Sequence, residues 1–484
     1  MPTLDPYDRY ECRVGLGYTR ITSEFFGLET QVTVFVPVGE SLVLRDIRIT
    51  NVSNQPVEVD AIPVVEYSHV DALTQFTNAD WVPQTMQSRA HGDEDDLVVL
   101  AQYAFMRQDW AVNYFASNHP VSSFETDRAN FLGAHEYGTW ANPVSLQREE
   151  LGNHEARRGD NIAALLHHLG EIQPGETRRL VTQLGQAQSL DRAMPQIRAF
   201  RIYARVDEAF EELCRFRDRY LAGMQVETPD ANMNRMLNTH NPWQCHITLN
   251  WSRYLSLYQL GFGARGIGFR DSSQDVMGIA ALAPEEGKVL IEKLLQVQKS
   301  DGSALHQFNP LTMIGNEGDS REVEEGPKYY GDDHLWSVLA VTAYLRETGD
   351  MGFLDRVIAY YEKDREDTPL EVGTVLDHLQ RAIDFTRTNT GQHGLPLAGF
   401  ADWNDSVNLA AGAESLFVAN LYGKVLQEMV ALAEYLAEPD LVERYACYRA
   451  EMEARVNEHA WDGEWYVRSF DANGDPDGSK SHEQ

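Results

Sequence analysis

Cysteine is scarce in this 484-residue chain: the four present, Cys12, Cys214, Cys245 and Cys447, lie far apart and never as CxxC. That spacing offers neither a disulfide framework nor a zinc ligand set, and a reducing, cytoplasmic setting is its simplest explanation. Positive charge is scarce too. Lys and Arg total 41 against 74 Asp and Glu, a net charge of -33, so nucleic acid is not an expected partner. Any anion site must therefore be built locally, against the field of the whole chain. The opening residues "MPTLDPYDRYECRVGLGY" hold no apolar h-region. No stretch reads as long and apolar enough to span a bilayer, so no membrane partner is expected. Low-complexity segments and exact repeats are missing as well.

What is present is enough for globular cores, since 43% of residues are hydrophobic and 10% aromatic. The length exceeds what one core organises, which predicts at least two domains. Over residues 1–187 the text reads as strands. "TQVTVFVP", "SLVLRDIRITNV", "PVEVDAIPVVEY" and "DLVVLAQYAF" are β-branched and partly alternating, with turn clusters "VGES", "SNQP" and "HGDED" between them. An antiparallel β-sandwich fits. Residues 188–228 read as a helical linker, interrupted at Pro195. Residues 229–484 alternate amphipathic helices with long loops rich in Gly, Asp, Asn, Trp and His. That order predicts an (α/α)6 toroid whose loops converge at one end, formed incompletely within this chain.

Three loops carry chemistry. Residues 250–275, "NWSRYLSLYQLGFGARGIGFRDSSQD", hold Arg253, Arg265 and Arg270 but no lysine, with glycines at 261, 263, 266 and 268. Guanidinium forks suit phosphate, carboxylate or vicinal hydroxyls, and glycines let the backbone approach closely. A structural pair between Arg270 and Asp271 is the plainer reading. "KYYGDDHLW" puts Asp332, Asp333 and His334 ahead of a helix, where Asp333 reads as an N-cap. His306, in "LHQFNP", reads as a satisfied loop histidine.

The third is "GFADWNDSVNL", residues 399–409. A calcium loop counted from Asp402 would need Gly and an acid where Val407 and Ala413 stand, so that pattern fails. A helix cap accounts for Asp405 but leaves Trp403 unexplained. An indole beside a carboxylate suits a sugar pocket, because it covers the apolar face of a pyranose and lowers the local dielectric. Such an acid can stay protonated and give its proton to a glycosidic oxygen. On residues alone, catalytic acid and structural turn both stand.

"RGIGFRDSSQD", "HQFNPLT", "DDHLW", "LRETGD", "HGLPLAGFADWNDSVNL" and "GAESLF" occur in that order. As a set they resemble the glycoside hydrolase family 94 phosphorylases, from about residue 10 to the end of the chain. The resemblance implies a β-sandwich, a helical linker and an (α/α)6 barrel. It also implies inverting phosphorolysis, in which a β-linked glucosyl disaccharide such as cellobiose and phosphate give α-glucose 1-phosphate and free sugar. Asp405 would be the general acid and Trp403 would line the donor-sugar subsite. Arg270 and Asp271 would hydrogen-bond donor hydroxyls, Arg253 would add a donor-site contact, and Arg265 would contact phosphate. Inorganic phosphate is then a co-substrate, with no cofactor or metal expected, and a homodimer is implied. Asp402 reads as structural. One acid suffices, because phosphate arrives already able to attack and an inverting hydrolase alone needs a second carboxylate.

The resemblance further implies that family members run on past this chain, which ends in the polar "WYVRSFDANGDPDGSKSHEQ" with fewer helical segments than a closed barrel needs. The expectation is a fragment of a longer protein, the parent to which the named function would belong. Two rival readings remain. A hydrolase on the same toroid would draw its base from Asp332, Asp333 or Glu414. A carbohydrate-binding protein would bind sugar without turnover.

Overall fold

The computed structural model describes residues 6–69, 81–92, 96–105, 111–134, 139–255, 266–407 and 409–480. These divide into two compact units, Met1–Arg219 and Tyr220–Gln484.

The first unit is built on strands β1 (Arg9–Val14), β2 (Tyr18–Phe25), β3 (Leu28–Phe35), β4 (Leu42–Asn51), β5 (Val57–Ala61), β6 (Val64–Glu66), β7 (Met86–Gly92), β8 (Val98–Ala104), β9 (Val112–Ser117), β10 (Ser123–Asp127), β11 (Asn161–Ile172) and β12 (Thr177–Ala187). One sheet has the order β1-β2-β3-β4-β12-β9-β8-β7, the other β10-β11-β5 with β6 also on β11, all antiparallel. Strand β9 shows why this is a sandwich. Every residue of it is buried. Phe115 packs with Ala163 and Leu165 of the second sheet, while Tyr114 and Ala116 point the other way into a second cluster. Side chains alternate across a strand, so two covered faces need an apolar run rather than an alternating one.

That second cluster includes helices α1 (Leu190–Ala199) and α2 (Tyr203–Ala222), through Ala193, Ile197, Val206, Ala209 and Leu213. The predicted helical stretch thus covers a sheet face. Pro195 lies inside α1 and does not break it, contrary to expectation. Only one intrahelical N–H is lost there. The helix ends at Phe200, and α2 restarts three residues on.

The second unit is helical. Residues 231–255 form a continuous helical stretch, α3, with π turns at Met236–His240 and Thr248–Ser252. There follow α4 (Phe269–Ile279), α5 (Pro284–Leu295), α6 (Asp333–Thr348), α7 (Val375–Thr388), α8 (Leu416–Tyr435) and α9 (Pro439–His459). Phe269, Val276, Leu290, Leu294, Leu335, Val338, Leu379, Ile383, Val418, Tyr422 and Met429 share one core, so these helices bury their apolar stripes against each other. Gly349, at φ 69°, stops α6 in a left-handed cap that a side chain would disfavour.

Short antiparallel ribbons join the helices. They are β13 (Ile267–Gly268), β14 (Gln307–Phe308) and β15 (Gly315–Asn316), then β16 (Val357–Ala359) with β17 (Val372–Thr374), then β18 (Glu414–Ser415), β19 (Ser469–Phe470) and β20 (Pro476–Asp477). Helix α8 corrects one expectation, because it is long and apolar enough by composition to cross a bilayer. Its apolarity has another use. Leu416, Val418, Ala419, Tyr422, Val425, Leu426 and Met429 of α8 are buried in the core of the unit.

Candidate active site

Three chain segments meet at the N-terminal ends of helices in the second unit. Arg270 is in the first turn of α4, Asp332 and Asp333 open α6, and Asp402–Asp405 lie in the loop ahead of α8. Glycines let two of these segments touch. Phe400 N donates to the Tyr329 carbonyl at 2.8 Å, and Gly331 N lies 3.0 Å from the carbonyls of Ala398 and Ala401. A Cβ on Gly331 would stand 2.7 Å from the Leu397 carbonyl. One on Gly399, at φ +68°, would stand 2.5 Å from that of Tyr329. Only glycine allows both approaches.

Arg270 is the hub. It is 5% exposed, and its Nη1 donates to Asp332 Oδ1 at 3.1 Å and to the Asp402 carbonyl at 2.9 Å. Its Nη2 donates to Asp405 Oδ1. The guanidinium therefore links a buried carboxylate to one that is half-exposed. Burial, and then the neighbouring Asp333, push the Asp332 carboxyl well above the usual range, against the pull of Arg270. Asp332 Oδ2 also accepts from Trp336 Nε1 at 2.8 Å.

The two acids of the DWND stretch have separate surroundings. Asp402 is 2% exposed; it accepts from Asn404 N at 3.0 Å and Ser415 Oγ at 2.5 Å, and it pairs with Arg468. Asp405 has 53% of its side chain exposed and Arg270 as its partner. A proton can be delivered to a ligand from Asp405 and not from Asp402. Trp403, 52% exposed, has Phe417 as its ring neighbour at 6.3 Å, so its indole is available at the rim.

Arg253 is committed within the protein. Its Nε donates to Asp275 at 2.7 Å and its Nη2 at 3.3 Å, while Nη1 lies 3.3 Å from Asp271 Oδ2. It thus stands behind Asp271, which is one-third exposed. Arg265 lies outside the described residues.

The cap reading of Asp333 fails. Helix α6 begins on Asp333 itself, and Asp332, at the cap position, makes no side-chain cap hydrogen bond. Asp333 is fully buried and instead meets His306 Nδ1 at 2.9 Å. His306 is a satisfied histidine, as its sequence suggests, but its partner was missed, because nothing local to "LHQFNP" points to an acid 27 residues on. Glu414, 1% exposed, accepts from His393 N, His393 Nδ1 and Leu395 N, so it serves the backbone.

Two family models together match most of the chain. The glycosyl hydrolase 94 supersandwich domain matches residues 1–202, and the catalytic domain of the glycosyl hydrolase 94 superfamily matches residues 216–484. An N,N'-diacetylchitobiose phosphorylase of Vibrio proteolyticus is 28% identical over 98% of this chain and 59% of its own length. A solabiose phosphorylase of Paenibacillus borealis is 28% identical over 100% of this chain and 58% of its own. The chain therefore spans less than two thirds of these relatives. Among solved structures, a bacterial glucoamylase complexed with acarbose superposes with a TM-score of 0.54 at 12% identity, covering 97% of this chain and 63% of that one. The likeness is one of fold: an N-terminal sandwich followed by a helical domain of the (α/α)6-barrel type.

Proposed function

We propose, since this chain belongs to the glycosyl hydrolase 94 superfamily, that the protein phosphorolyses a β-linked glucosyl disaccharide such as cellobiose, with inversion. A phosphate oxygen attacks C1 of the donor sugar from the face opposite the leaving group. The C1–O bond breaks, and the leaving oxygen takes its proton from Asp405. The products are α-glucose 1-phosphate and free sugar, and Asp405 regains a proton from solvent.

The observation that carries this reading is how the acids are spent. Asp332, Asp333 and Glu414, the candidate bases for a hydrolase, are all 1% exposed or less, with Asp332 and Glu414 hydrogen-bonded by the protein and Asp333 paired with His306. None can activate a water across a sugar from Asp405. A nucleophile that arrives as an anion needs no such base. Arg270 and Asp271 would hold donor hydroxyls, with Arg253 fixing Asp271, Trp403 would cover the apolar face of the sugar, and Arg265 would contact phosphate. In the unliganded site Asp405 accepts from Arg270.

A second donor is favoured by the similarity to a diacetylchitobiose phosphorylase, namely N-acetylglucosamine in place of glucose. The test is release of sugar 1-phosphate from cellobiose, solabiose and diacetylchitobiose, with and without inorganic phosphate. Phosphate-dependent release from one of them is the expected result. Free sugar released without phosphate would replace the reading with a hydrolase, and binding without turnover would leave a carbohydrate-binding protein.

A further inference from the structure

His306 is held on several sides. Its Nδ1 meets Asp333 at 2.9 Å, and its ring stacks on Tyr330 at 3.6 Å with planes 13° apart. Its carbonyl accepts from Phe269 N at 2.9 Å, one residue before Arg270. Gly318, at φ +63°, closes over the ring, where a Cβ would stand 2.6 Å from Cδ2. So much fixing implies a duty.

The duty concerns charge. Asp333 is fully buried, and its second oxygen, Oδ1, has no hydrogen-bond partner. A buried carboxylate demands compensation, and two cations act on this one, His306 and Arg270. Arg270 meanwhile spends its donors on Asp332, the Asp402 carbonyl and Asp405. With His306 protonated, Asp333 is matched and Arg270 stays directed at Asp405. With His306 neutral, Arg270 would be the remaining cation acting on Asp333, and the partnerless Oδ1 would compete for its guanidinium.

We infer that His306 and Asp333 form a positioning pair that keeps the Arg270 guanidinium aimed at Asp405 and the donor sugar. The inference rests on the donor-sugar reading of this site. Burial would discharge the imidazole, but Asp333 outweighs it and holds His306 above the ordinary histidine range. The charged groups facing the ring are Asp333 of α6, Arg270 of α4 and Asp405 of the loop before α8, with Tyr330 on its face. Asp332 and Asp319 act on Arg270 and on Tyr330 respectively.

Trp336 supplies a probe, because its indole donates to Asp332, the carboxylate that shares Arg270. Protein labelled with 5-fluorotryptophan is followed by fluorine NMR while glucose binding is measured by calorimetry across pH. In the wild type glucose affinity falls as pH rises through the raised His306 value. Of the accompanying Trp336 shift, only the part lost in His306→Gln reports His306, the rest being the titration of the likewise raised Asp332 that the indole touches. His306→Gln is expected to show the shifted resonance at every pH and about tenfold weaker glucose binding, the scale of one lost charge-assisted hydrogen bond. Adding Asp333→Asn removes the unmatched charge and restores both. A normal resonance and affinity in His306→Gln, or a double variant no better than the single one, overturns the inference. Should His306→Gln fail to fold, a Trp336 resonance that stays flat through the wild-type titration overturns it. If the wild type binds no sugar, the donor-sugar reading fails instead. The fluorine signal and its rescue then decide the positioning pair alone.

Discussion

Arg468 sets a single nitrogen between both oxygens of Asp402, with Nη2 at 2.7 Å from Oδ1 and 2.6 Å from Oδ2. This contact ties the ribbon of β18, β19 and β20 to the loop that carries Asp405. Arg468→Ala leaves a buried carboxylate held by Ser415 and one backbone N–H. It is expected to cost about 2 kcal/mol, less than a fully enclosed pair because Arg468 is a third exposed. Urea unfolding checks the loss, and phosphorolysis should fall with it as the loop loosens.

Asp405→Asn is expected to cut phosphorolysis by at least about a hundredfold, the usual contribution of a positioned acid. Because half of the Asp405 side chain is exposed, the unfolding temperature should stay near that of the wild type. Equal losses of activity and of folded protein would remove Asp405 from the acid role.

Trp403→Ala should act on binding rather than folding. The indole is half-exposed and contributes little to the core. A several-fold rise in KM for the disaccharide, with kcat changed less, is the expected split if the indole packs on the sugar before and during reaction alike.

Gly399→Ala tests how closely the site loop sits. A methyl there meets the Tyr329 carbonyl at 2.5 Å and must adopt φ +68°. The expected cost is about 2 kcal/mol or more, seen as a lowered unfolding midpoint. A neutral result would mean that the loop can lift away from residues 329–331.

Acid sensitivity should come in part from His334, which is buried, with Nε2 2.6 Å from Thr386 Oγ1, and which burial lowers to about 3, as it lowers His167 and His378 to about 4. Below about 6.5 the unfolded chain takes up a proton that folded His334 refuses, so stability falls as pH drops. Between pH 7.5 and 5.5 the loss should be about 1.4 kcal/mol, for one proton over the pH unit below 6.5. His334→Gln should remove that share of the slope in urea unfolding.

The sandwich and the helical unit were legible because side-chain period is local. Alternation in β4 and the apolar run of β8 can be read from adjacent residues. The site was legible in part. Arg270 and Asp405 were found from the motif set, and they meet. What could not be read were partners set by long loops: Arg468 for Asp402, 66 residues on, and His306 for Asp333, 27 residues back. No periodicity encodes those distances. The same limit explains the cap reading of Asp333, since acid before an apolar run looks alike whether it caps a helix or faces a histidine. Helix α8 was passed over as a possible span for a related reason. Its apolar length is that of a core helix, and hydropathy does not tell a protein interior from lipid.

Gly318, Gly331 and Gly399 give the site its shape by leaving space, each standing where an added carbon would strike a ring or a carbonyl. Mutational tolerance should therefore be unevenly spread. In a saturation library these three positions would accept almost nothing, although none of them has a side chain to offer a ligand, while the rim around Trp403 would accept many side chains. New ligand preferences could thus arise at the rim without rebuilding the frame beneath it, and lineages diverging from this chain should vary there first.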